Sequence, residues 1–235
     1  MYAKATLAVA ALAGLVAAAP TAAPVKRTDA DSYTYYSGDG SDAAGWPDMS
    51  DWASFDELWS TNVVLMQEGC GNNGWGANDS DDEVAGIQSA IQSVAASTGV
   101  DERFILAIVM QESVGCVRVP TTDNGVVNPG LMQSHDGSGT CAGVDPCPDS
   151  EITQMIEDGT AGTSSGNGLQ QTLATGTSDV GSTNAQAYYI AARLYNSGSV
   201  DTSNLDDGLG STPCYASDVA NRLTGWALAP STCTA

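Results

Sequence analysis

Lysine is almost missing from this chain. Its 235 residues hold only Lys4 and Lys26, both near the start. Beyond residue 27 the only cations are Arg103, Arg118, Arg193 and Arg222, set against 28 acidic residues. The formal net charge is −21. Such a surface repels phosphate backbones and anionic lipid, so neither nucleic acid nor a membrane is expected as a partner. It suits an acidic medium, where protonation of the carboxylates relieves their mutual repulsion. Histidine occurs once, as His135, and the six cysteines show no C-x-x-C spacing. No metal site or cofactor is therefore expected. Strand signals are nearly absent and no internal repeat is visible, which points to a mainly α chain.

What is present begins with an address. Residues 1–19 carry one lysine and then an Ala/Leu/Val run ending in Ala17-Ala18-Ala19. That is the pattern of a secretory signal peptide with a small-residue cleavage site. Pro20 follows and no stop-transfer pattern appears, so a membrane span is not expected. Residues 20–27 end in the dibasic pair Lys26-Arg27, which reads as a processing site of a short propeptide. The alternative is a mature start at Pro20. Residues 28–235 suit one monomeric, extracellular domain large enough for a real core.

All six cysteines, Cys70, Cys116, Cys141, Cys147, Cys214 and Cys233, fall in that part. An even count on a secretory route reads as three disulfides. Sequence does not choose among the pairings. Proximity favours Cys141–Cys147 and Cys214–Cys233, which would leave Cys70–Cys116.

Residues 28–75 form an aromatic arm, with Tyr33, Tyr35, Tyr36, Trp46, Trp52, Phe55, Trp59 and Trp75. A linker would be aromatic-poor, so the arm is expected to pack on the domain, a sugar-stacking surface being the alternative. Helices are expected over 54–67, 82–98, 149–158, 184–196 and 215–225. Residues 117–148 are rich in Gly and Pro, a loop long enough to suggest a functional role. Residues 160–182 are rich in Gly, Ser and Thr and remain ambiguous.

The central stretch is 101–113. Asp101 is a good N-cap and Glu102 an acid in the first turn. Phe104, Ile105, Ile108 and Val109 share one helical face. Glu112 is the next position on that face. A carboxylate on an apolar stripe breaks a local rule, and such breaks mark functional or strained sites. Burial there would raise its pKa, as a general acid requires. The alternative is a solvated acid at a fraying helix end.

Three segments complete the pattern: Gln111-Glu112-Ser113, then Asn128-Pro129-Gly130-Leu131-Met132-Gln133, then Ala191-Ala192-Arg193-Leu194-Tyr195-Asn196-Ser197-Gly198. In this order the set resembles the lysozyme-like superfamily, namely soluble lytic transglycosylases and goose-type lysozymes. The resemblance covers about half of the mature chain. It implies an α+β lysozyme-like fold with a glycan groove formed by the long loop region.

It also implies roles. Glu112 matches the catalytic acid and Ser113 a neighbour that binds substrate or steadies it. Gly130, Leu131, Met132 and Gln133 match the groove edge, where Gly would let a sugar ring approach the backbone. Tyr195 matches the aromatic beside the acid, and Asn196 a supporting polar residue. His135 reads as groove-lining. Goose-type lysozymes carry acids near the second motif that position water. Here Asp123 and Asp136 flank it at a different spacing, and either is a candidate second carboxylate. The implied activity is hydrolysis of β-1,4 bonds in peptidoglycan. A lytic transglycosylase, a chitin-type hydrolase and a non-catalytic glycan-binding effector are the alternatives.

Overall fold

Helix α3, Glu102–Ser113, lies at the centre of the fold. Phe104 through Met110 are all buried, so the helix is enclosed on nearly every side. The sequence pattern marks one apolar face. The extra buried positions, Leu106, Ala107 and Met110, reflect packing against α1 (Phe55–Asn72), α2 (Asp81–Thr98) and α7 (Tyr215–Leu223). Two further pairs complete the core. Helix α4 (Asp149–Ala161) packs on α2, and α5 (Leu169–Val180) packs on α6 (Ala185–Ser197). The structure is a computed structural model and describes residues 31–233. The signal segment 1–19, the propeptide 20–27 and a start at Thr28 lie outside the described residues.

The helices start where side chains cap them. Ser54 with Glu57, and Ser80 with Glu83, form capping boxes that satisfy backbone N–H groups at the starts of α1 and α2. Gly99 and Gly198 end α2 and α6 in the left-handed region that glycine enters without strain. Between α3 and α4 the chain is irregular apart from a two-stranded antiparallel hairpin, β1 (Thr122–Asp123) and β2 (Val127–Asn128). The fold is mainly α.

Two elements differ from expectation. Helix α1 runs on to Asn72, past Gly69, because Gly69 packs against Val114 and Cys70 is bonded to Cys116. Helix α5 occupies the ambiguous 160–182 stretch. Its glycine and threonines hide a helical face of Leu169, Thr172, Leu173 and Gly176. A Cβ at Gly176 would meet the Ala187 backbone, so glycine here lets α5 and α6 approach closely.

The disulfides are Cys70–Cys116, Cys141–Cys147 and Cys214–Cys233, and no free cysteine remains. Among the described residues no helix is long and apolar enough to cross a membrane. Cys70, Asp79 and Cys116 come together, but the two sulfurs are bonded to each other. Asp79 instead pairs with buried Arg118, which also pairs with Glu83 and Asp145.

The aromatic arm packs. Trp46 and Trp52 are buried, and both contact Tyr189 of α6. The Trp52 indole N–H donates to the Tyr189 hydroxyl at 2.9 Å. Further upstream, Thr34 exchanges two hydrogen bonds with Asn221 of α7, and the Tyr36 N–H donates to Ser217 at 3.1 Å.

Candidate active site

Glu112 stands on the last turn of α3. The helix stops because Val114 and Gly115 both take left-handed backbone angles. A Cβ at Gly115 would collide with Met66 of α1, so glycine permits the sharp exit that leaves Glu112 at the helix mouth. The side chain opens on a cleft of about 950 Å³.

The walls of that cleft come from distant parts of the chain. The hairpin contributes Thr122, Asn124, Val126 and Asn128, and the following loop Gln133 and His135. The loop before α5 and α5 itself contribute Asn167, Thr172 and Thr175. The end of α6 contributes Leu194, Tyr195 and Asn196, and the loop before α7 contributes Gly210, Ser211 and Thr212. Amides and hydroxyls dominate. Glu112 is the only carboxylate among the lining residues, and no Lys or Arg lines it. The cleft therefore offers amides, hydroxyls and one imidazole around one acid.

The surroundings of Glu112 set its ionisation. Burial pushes its pKa from 4.5 to about 7. Its place at the negative end of the α3 dipole works in the same direction. Two neighbours oppose the shift: the Tyr215 hydroxyl, which donates to Glu112 Oε1, and the nearby Arg222 guanidinium. Tyr215 is itself held in protonated form, its pKa driven well above 10 by burial and by the Glu112 charge. It is thus a reliable donor. Among the described residues Glu112 Oε2 takes no hydrogen bond, and Glu112 lines the cleft.

The other expected site residues divide into two groups. Gln133, His135, Tyr195 and Asn196 line the cleft beside Glu112. The Tyr195 hydroxyl donates to Met132 O at 2.8 Å rather than to the acid. Asn196 accepts from Arg193 and from Thr212 N–H. Gln133, at φ 46°, accepts from Thr122 and donates to Gly130 O, bracing the hairpin.

Ser113, Gly130, Leu131 and Met132 are buried instead. The Ser113 hydroxyl lies 2.8 Å from Leu131 O and ties the end of α3 to the second motif. Gly130, expected at the groove edge, is buried against the core. Its φ is 75°, and a Cβ there would meet Met155 Cγ at 2.6 Å and Gly139 O at 2.7 Å. The core behind the cleft by itself requires glycine at this position. The segment works from behind, through carbonyls that Ser113 and Tyr195 occupy.

Asp123 and Asp136 are not among the lining residues. Asp123 is exposed and accepts from Gly125 N–H at 3.0 Å. Asp136 sits 3.7 Å from His135 Nε2 on the exposed side of the loop.

Sequence reasoning missed Tyr215, the residue that holds Glu112. It is a single aromatic at the start of α7, preceded by a disulfide cysteine, with no motif around it. It also missed Asn124, Asn167 and Thr175, polar residues that only the fold gathers.

Comparison with protein-family models, curated proteins and solved structures gave no match. What the site does must be read from its own groups.

Proposed function

We propose that this is a secreted glycoside hydrolase of muramidase type, cleaving β-1,4 bonds between N-acetylhexosamines, with peptidoglycan as first substrate. The observation that carries this reading is Glu112: one carboxyl with its pKa raised to about 7, alone in a cleft of amides and hydroxyls. The cleft suits a neutral, hydroxyl-rich polymer with acetamido groups, which both donates and accepts. The order of the Glu-Ser, Gly-Leu-Met-Gln and Tyr-Asn-x-Gly segments, resembling lysozyme-like proteins, supports the same substrate class. The signal-like leader and three disulfides fit an oxidising, extracellular setting.

In this mechanism Glu112 gives its proton to the glycosidic oxygen as the C–O bond breaks. The protonated oxygen leaves with its sugar, positive charge develops on the anomeric carbon left behind, water adds there, and the proton it sheds restores the acid. Tyr215 stabilises the carboxylate that forms, because its hydrogen bond strengthens as charge grows on Oε1.

A second reading has its own support. Among the described residues no second carboxylate lines the cleft to activate water, whereas an inverting hydrolase needs one about 6.5–9.5 Å from the acid. A lytic transglycosylase needs none: a hydroxyl of the substrate attacks, gives its proton to Glu112, and an anhydro sugar forms. Product analysis of digested peptidoglycan separates the two. New reducing ends support the hydrolase, and anhydro ends the transglycosylase. Glycan binding without released fragments would overturn both and leave a binding protein.

A further inference from the structure

Arg193, on α6, is completely buried, and no ion pair among the described residues includes it. Burial of a charge is costly unless other groups meet it. Here neutral groups do so. Nη1 donates to the Thr212 carbonyl at 2.8 Å, and Nη2 donates to Asn196 Oδ1. The guanidinium carbon lies 5.8 Å from the centre of the Tyr215 ring, within the range of a cation–π contact. Thr212 and Asn196 both line the cleft, and Tyr215 donates to the acid. One buried cation thus fastens the end of α6 to the loop before α7, two parts of the same wall.

The consequence for Asn196 follows from which groups can donate and which accept. A guanidinium has donors only, and a backbone N–H is a donor too. Asn196 meets one of each, Arg193 Nη2 and the Thr212 N–H, the latter at 3.2 Å. Its amide oxygen must therefore face both. Turned over, the amide would set its own N–H groups against two donors. The oxygen is occupied, whereas Asn196 Nδ2 has no hydrogen bond among the described residues. Asn196 is half-buried and lines the cleft, so what it offers a ligand is a donor. Two other cleft amides differ. Gln133 is occupied at both ends, its oxygen by Thr122 and its nitrogen by the Pro120 and Gly130 carbonyls. Asn128 gives its nitrogen to the Val126 carbonyl and keeps only its oxygen for a ligand.

We propose that Arg193 is a positioning residue that locks the Asn196 amide as a hydrogen-bond donor to an acceptor oxygen of the bound glycan. This rests on the reading of the cleft as a glycan site and adds the polarity of one contact and the group that fixes it. Arg193 suits the task because its planar fork reaches the Thr212 carbonyl and the Asn196 oxygen together, which a lysine ammonium would not hold in the same geometry.

The test is binding of the β-1,4-linked tetramer of N-acetylglucosamine, measured by calorimetry in the full mature protein carrying Glu112→Gln, so that the sugar is held and not cleaved. Asn196→Asp in that background keeps the size of the side chain and an oxygen for both Arg193 and Thr212. It exchanges only the free donor for an acceptor. The fold should hold and the affinity should fall by about tenfold or more, because a donor is lost and two acceptors are set against each other. Arg193→Lys keeps the charge without the fork, and Arg193→Met removes both. Affinity per folded molecule should fall several-fold in the first and further in the second. A residue serving stability alone would lower the melting temperature and leave that affinity unchanged. If Arg193→Met does not fold, Arg193→Lys decides. Unchanged affinity in Asn196→Asp, or in the folded Arg193 variants, overturns the proposal. Absence of tetramer binding before either change overturns it as well, whether or not the native protein cleaves peptidoglycan. Binding that all the folded variants weaken, in a protein that releases no fragments from peptidoglycan, keeps the proposal and removes the enzyme reading.

Discussion

The hydroxyl of Tyr215 donates to the carboxyl of Glu112, joining the start of α7 to the end of α3 across 103 residues of chain. The bond is the most direct control on the acid. Because it favours the charged form, its loss should raise the proton affinity of Glu112. Tyr215→Phe keeps the ring that packs over Arg193, 5.8 Å from its centre, and deletes only the donor. The alkaline limb of glycan cleavage should therefore move to higher pH. The maximal rate should fall, since the carboxylate left after proton transfer has lost its partner. A pH–rate profile of the two proteins checks this. An unchanged limb would mean that another group governs it.

Stability should also depend on pH, in a direction the buried acids fix. Burial raises Glu112 to about 7 and Asp206 to about 6, both above their ordinary values of 4.5 and 3.8. The folded state binds protons more tightly at these groups than the unfolded state does. Their stabilising effect is full below pH 4 and is lost as pH rises through 6 to 7. The excess of acids pushes the same way, since Arg118 and Arg193 are spent inside the fold. The thermal midpoint should be higher at pH 5 than at pH 8. A midpoint that rises between those values would contradict this.

How far the sequence foretold this can be argued from particular residues. The α3 pattern, with Asp101 capping and Glu112 on the apolar stripe, led to the site because a local break in periodicity is visible without any fold. The lining residues Gln133, Tyr195 and Asn196 came from ordered motifs, and His135 was noticed as the single histidine of the chain. Tyr215 was invisible, because its meaning lies in a contact between α7 and α3 that no spacing encodes. Gly130 was legible as a special glycine but not as to which side needed it. A glycine facing a ligand and one facing Met155 look alike in a sequence. Helix α5 was hidden because Gly176, poor for helix propensity, is what its packing on α6 demands.

Gly130 gives a stability prediction that differs from a groove role. Gly130→Ala places a methyl in the left-handed region and against Met155 and Gly139. Overpacking and the backbone penalty together should cost on the order of 2–4 kcal/mol. The thermal midpoint should drop by several degrees, with activity per folded molecule little changed. Loss of activity without loss of stability would return Gly130 to the cleft surface.

The framework predicts a clean chemical result. Every cysteine is paired, and Cys214–Cys233 closes the chain end next to Tyr215. Alkylation of the denatured, unreduced protein should label no cysteine. Cys233→Ser together with Cys214→Ser should loosen the start of α7 and lower both activity and melting temperature.

Glu112→Gln decides the function. The substitution keeps the shape of the side chain and an oxygen able to accept from Tyr215, and it removes the acidic proton. If Glu112 delivers a proton to the departing sugar, the rate should fall by roughly 10²–10⁴, the usual worth of general acid assistance. Stability should move the other way. Above pH 7 the native protein holds a poorly solvated carboxylate, and the neutral amide removes that cost. Below pH 5 the native group is already protonated, so the two proteins should melt alike. Turnover and melting temperature measured together at both pH values test the whole assignment. Near-native turnover in the variant would take Glu112 out of the mechanism. An inactive variant that also melts far below the native protein at both pH values would make it a structural residue. An inactive variant that is as stable at pH 5 and more stable at pH 8 is the result expected of a half-buried general acid.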